Sequence, residues 1–76
     1  MEFDKIRKIA AEVLNVSEAD IEVNTAFAAD LGADSLEIFQ IICRIEDEFD
    51  IKISGEITEQ LKTVKDMVDY VRHTAV

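Results

Sequence analysis

Apolar residues recur across residues 3–14 at Phe3, Ile6, Ala10, Val13 and Leu14, at spacings that share one helical face. Asp4, Lys5, Lys8 and Glu12 fall opposite, and Asp4 to Lys8 is a favourable i,i+4 pair. The pattern then dissolves. From Val16 to Asp34 no period is sustained, a stretch longer than an ordinary connection, and long loops in compact domains usually carry function. Ser17 is placed there to cap a short turn with Asp20 three residues on. Ile21, Val23 and Phe27 are expected to anchor the loop to the core.

A helical period resumes over Ser35 to Phe49, with Asp34 or Ser35 as its cap. "ISGEITEQL" suggests a short helical turn after Ser54. Thr63 opens a last helix with Asp66 three residues later, again a capping-box spacing, and Val64, Met67, Val68 and Val71 form its inward face. Arg72 and His73 sit near its end, where cations suit the helix dipole. The predicted fold is all-α: a small four-helix bundle with a short third helix and a long loop between helices one and two. It is expected to be a single domain over residues 1–76.

The second helix carries more apolar surface than a core needs. On a wheel, Glu37, Gln40, Arg44, Asp47 and Glu48 share a polar arc of roughly 100°, leaving about 200° that is mainly apolar. Ile38, Ile41, Ile42, Ile45 and Phe49 suffice for the core. Leu36, Phe39 and Cys43, flanked by Ser35 and Glu46, form a second apolar strip, and surplus of this kind is often used on a partner. The bland alternative is that helices three and four cover it.

Composition narrows the classes. The chain has 76 residues, 49% of them hydrophobic, which is material for one compact core. It lacks proline and has two glycines, so helices are favoured over a hairpin-rich sheet. The lone Cys43 excludes an internal disulfide and forms no metal site by itself. No apolar run reaches the roughly 20 residues of a membrane span, and the acidic start is unlike a signal peptide, so a cytoplasmic setting is expected. Eight basic against seventeen acidic residues give a net charge of −9, the wrong sign for nucleic acid. Such a charge keeps a surface soluble, and it also steers a protein toward basic partners.

The serine in "LGADSLEIFQ" (residues 31–40) then stands out. As an N-cap, Ser35 would stabilise its helix by roughly 1 kcal/mol, and that alone explains a serine there. Hydrolase chemistry is unsupported, because G-x-S-x-G is missing and the only histidine, His73, lies in the tail. A calcium loop is unsupported too, because Asp30 and Asp34 lack the further ligands. If Ser35 reacts, another enzyme supplies the base.

"LGADSLEIFQIICRIEDEFDIKI" resembles the phosphopantetheine-attachment region of acyl carrier proteins, and the likeness continues through "VKDMVDYV". The resemblance implies a four-helix bundle in which Ser35 receives 4′-phosphopantetheine from coenzyme A, delivered by a magnesium-dependent phosphopantetheinyl transferase. It implies that the arm's thiol carries acyl groups as thioesters, with Asp34 and Leu36 flanking the attachment point. The resemblance implies that partners grip Leu36 and that Glu37, Glu46 and Asp47 meet basic patches on acyl-transfer, synthase and reductase enzymes. Phe39 and Cys43 of the apolar strip, with Gln40, complete the expected partner face. No resident metal is implied, and the carrier is expected to be a monomer. Gln40 stands where common fatty-acid carriers have an acid, Phe39 replaces a smaller aliphatic, Arg44 adds a positive charge, and Ser54 replaces a frequent proline. General fatty acid synthesis is the expected setting, beside a dedicated polyketide or specialised-lipid pathway. A rival of another class is an acidic helical interaction module that is never modified.

Overall fold

The computed structural model describes residues 1–74. Among these residues four α-helices make the frame, α1 Glu2–Leu14, α2 Ser35–Phe49, α3 Gly55–Thr58 and α4 Val64–Thr74, with one 3-10 turn at Glu18–Asp20. No strand occurs among the described residues. The helical bundle and its short third helix match the expectation from sequence.

Helix ends follow from local chemistry. Glu2 and Asp4 lie in the first turn of α1, where carboxylates suit the positive end of the helix dipole. Asn15 closes α1 with φ 56°, ψ 46°, its amide donating to the Ala11 carbonyl. Asp50 closes α2 the same way at φ 54°, donating to Glu46. Asn and Asp are the non-glycine residues that tolerate this left-handed geometry best. Ser54 caps α3 by accepting from the Ile57 amide at 3.2 Å. The Thr63–Asp66 capping box forms as predicted, with Asp66 also accepting from the Lys62 amide at 3.0 Å.

α1 packs against both α2 and α4. Ile6 from α1, Ile41 and Ile45 from α2, and Val64, Met67 and Val71 from α4 are almost fully enclosed. Ile9, Ala11, Ile51, Ile53 and Leu61 join the core without having been singled out by periodicity. Ile38 and Phe49, expected inside, are only half-buried. The Asp4–Lys8 pair does not form among the described residues. Asp4 meets Arg7 at 3.4 Å instead, and Lys5 crosses to Glu48 on α2 at 3.3 Å.

The long loop is held partly as expected and partly otherwise. Ile21 and Phe27 are buried. Val23 is 43% exposed and is no anchor, because the Glu22–Thr25 turn (Thr25 amide to Glu22 carbonyl, 3.1 Å) carries its side chain outward. Backbone pairing holds this part instead. Lys65 donates to the Val23 carbonyl at 2.8 Å, Val64 to Thr25 at 3.0 Å and Phe27 to Lys62 at 3.0 Å, around an antiparallel bridge between Ala26 and Thr63. Gly32, at φ 68°, provides the left-handed step that turns the chain into α2, a conformation costly for residues with a Cβ.

Candidate functional site

The sequence left two residues competing to cap α2, and the backbone separates them. Asp34 is extended (φ −88°, ψ 178°) and takes the N-cap, its Oδ1 accepting from the Glu37 amide at 2.8 Å. Glu37 reciprocates, its Oε1 accepting from the Asp34 amide at 3.0 Å. Ser35 is therefore the first residue of the helix proper, and it is exposed. Its hydroxyl makes no hydrogen bond among the described residues, and neither the Ser35 nor the Leu36 amide finds a partner there. A helix start offers just such free amides, with the positive end of the dipole behind them.

Ser35 stands at the edge of an open groove of about 850 Å³. One wall is α2, through Ile38, Phe39, Ile42, Cys43 and Glu46. The other runs from residues 26–29 of the long loop through Ile53, α3 and Leu61 to Lys62. The lining is mainly apolar. Sequence reasoning found the first wall as the surplus strip on α2. It missed the second, because Ala28, Ala29, Ile53 and Leu61 come from segments with no helical period.

The residues assigned to partner contact divide into groups. Leu36 and Phe39 are 65% and 62% exposed, so neither serves the core. Gln40 and Asp47 are also exposed, while Cys43 is half-buried in the groove wall. Glu37 works in the capping box. Glu46 is half-buried, and its Oε2 accepts from the Ile53 amide at 2.7 Å, tying α2 to the segment that leads into α3. Arg44 is turned toward α1, where it pairs with Glu12. That hydrogen bond holds the Glu12 carboxyl below the usual range. The positive charge of Arg44 is thus matched within the fold. Asp66 is held low chiefly by the Thr63 amide, with help from the Lys62 amide and the Thr63 hydroxyl against the opposing effect of burial.

A model of the phosphopantetheine attachment site family matches residues 4–71. The chain belongs to that family. Among solved structures, a Mycobacterium tuberculosis protein described as an acyl carrier protein superposes with a TM-score of 0.88 at 36% identity, over 96% of this chain and 97% of that one. BlmI from Streptomyces verticillus, a type II acyl carrier protein involved in bleomycin biosynthesis, gives 0.82 at 29% identity, over 95% and 83%. The protein is an acyl carrier rather than a catalyst, and a domain of this family carries 4′-phosphopantetheine on a serine. The head of α2 fits a phosphodiester: an exposed serine beside two free backbone amides, backed by the helix dipole. No helix among the described residues is long and apolar enough to cross a membrane.

Proposed function

We propose that Ser35 is the attachment serine of this carrier. The observation that carries this reading is the division of labour at the head of α2. Asp34 caps the helix, so the Ser35 hydroxyl is left exposed and unbonded at the edge of an apolar groove. The arm supplies a terminal thiol on which acyl groups ride as thioesters. The carrier residues do the rest. The free amides of Ser35 and Leu36 would hold the phosphodiester, and the groove behind Ile38 and Ile42 would shelter apolar cargo from water. Leu36, Phe39, Gln40, Cys43 and Asp47 present the docking surface, and unpaired acids around it attract basic partners. Glu37 and Glu46 act mainly by holding that surface in shape.

The setting we propose is fatty acid biosynthesis, with the protein acting as a monomeric carrier in the cytoplasm. A dedicated pathway is a second reading, favoured by the aromatic Phe39 and neutral Gln40 on the docking face and by the likeness to a carrier involved in bleomycin biosynthesis. The test is incubation with coenzyme A and a phosphopantetheinyl transferase, followed by intact mass and peptide mapping. The expected result is one adduct, on Ser35, absent from Ser35→Ala. An adduct on Ser17 or Ser54, or none, overturns the assignment. Mass analysis of carrier isolated from its host, arm and cargo together, then separates the two pathway readings.

A further inference from the structure

Five of the eight basic residues are committed to ion pairs: Lys5, Arg7, Arg44, Lys65 and Arg72. Lys8, Lys52 and Lys62 make none among the described residues. Of these three, only Lys62 lines the groove beside Ser35.

Lys62 is also unusually well placed by its backbone. Its carbonyl accepts from the Phe27 amide at 3.0 Å, and its amide donates to Asp66 Oδ2 at 3.0 Å. The main chain is clamped on both sides while the side chain stays exposed. Two acids share the lining. Glu46 is engaged with the Ile53 amide, and Glu59 ends α3 as its C-cap residue. The whole chain, at −9, repels anions, so an anion settles in this groove only against a nearby cation.

We infer that Lys62 is a positioning residue that holds an anionic group of the loaded arm in the groove. The inference rests on the reading of Ser35 as the attachment point. Two sources offer that chemistry: the phosphodiester next to Ser35, and a carboxylate at the far end of a dicarboxylic acyl cargo. A lysine suits either, being a compact charge on a flexible stem. It gives the carrier a way to distinguish a cargo that ends in a carboxylate from one of equal length that ends in a methyl group.

The test uses wild type, Lys62→Met and Lys62→Arg, each loaded from coenzyme A, hexanoyl-coenzyme A or adipoyl-coenzyme A. Intact mass reports loading. Failure to load Ser35 defeats the carrier assignment itself and is seen before any question about Lys62 arises. On loaded protein, the phosphorus NMR shift of the arm reads the phosphodiester. The ratio of hydroxylamine cleavage rates for hexanoyl and adipoyl thioesters, normalised to the same thioesters on free pantetheine, reads the carboxylate.

An exposed ion pair changes such an equilibrium by about two- to fivefold. In wild type the adipoyl form is therefore expected to be protected by about that factor relative to hexanoyl. The protection is expected to vanish in Lys62→Met and return in Lys62→Arg. A phosphorus shift that moves in Lys62→Met and is restored in Lys62→Arg assigns the contact to the phosphodiester, with or without cargo protection. If neither readout differs between wild type and Lys62→Met, the inference is overturned.

Discussion

Asp34 and Ser35 show how one residue of register decides which side chain caps a helix and which is left free. Both are good capping residues, so sequence alone left the cap open between them. Only the extended backbone at Asp34 assigns it, and that assignment frees the serine hydroxyl. Asp34→Ala should cost about 1 kcal/mol as a lost cap, whereas Ser35→Ala should barely move the melting curve. Urea titrations of the two variants check this, and equal losses would put Ser35 back among the capping groups. The surplus strip on α2 sorts the same way. Ile45 is fully buried, so Ile45→Ala opens a cavity worth about 2–5 kcal/mol. Phe39→Ala should cost far less while slowing turnover by partner enzymes. A destabilisation by Phe39→Ala that matches Ile45→Ala would show that the ring is structural. Wheel geometry placed Leu36 and Phe39 outside the core, and they are outside it. Val23 was misplaced because a two-residue turn has no period to read.

At the scale of elements, α1, α2 and α4 were legible because each repeats its apolar face over several turns, whereas the four-residue α3 was legible only from the Ser54 that starts it. The groove was only half legible. Its α2 wall is periodic, but its other wall is assembled from the long loop and the flanks of α3, which only tertiary pairing brings together. Asp66 secures that assembly, since its carboxylate accepts from the Lys62 and Thr63 amides at the entry to α4. Its folded pKa is depressed. The charged carboxylate therefore stabilises the fold above its unfolded value, near pH 4, and the contribution is lost as pH falls through the folded value. The stability gap between wild type and Asp66→Asn should be constant from neutrality down to about pH 4 and close below it. A gap that persists into strong acid would mean that the amide bonds, rather than the charge, matter. The αL cap of α2 offers a second test. Asp50→Gly should raise stability by up to about 1 kcal/mol by relieving left-handed strain, partly offset by the added freedom of the unfolded chain. It also removes one acid from a crowded segment. Calorimetry that shows a lower melting temperature would count against strain at this position.

For the molecule as a whole, charge acts on folding and on binding in opposite directions. The acids of "RIEDEFD" look uniformly repulsive in sequence, yet the fold treats them unequally. Glu48 meets Lys5 and Glu46 meets the Ile53 amide, while the Asp47 and Asp50 carboxylates have no partner among the described residues. Asp20, Glu22, Glu56 and Glu59 are likewise uncompensated. Four of the six, Asp47, Asp50, Glu56 and Glu59, lie between the second half of α2 and the end of α3, and Glu59 lines the groove. Salt screens charges over a Debye length of about 10 Å at 0.1 M. Raising an inert monovalent salt should therefore lift the melting temperature, modestly, because many of the acids already have local partners. The same salt should slow association with a basic transferase, because the unpartnered acids are the ones left to attract it. Melting curves and the transferase KM, measured across one salt series, read both effects. A melting temperature that is flat in salt would show that even these carboxylates are compensated within the fold. A KM that ignores salt would shift recognition to Leu36 and Phe39. In that case the acidity would serve solubility alone, and pathway specificity would reside in an aromatic and a leucine on one face of α2.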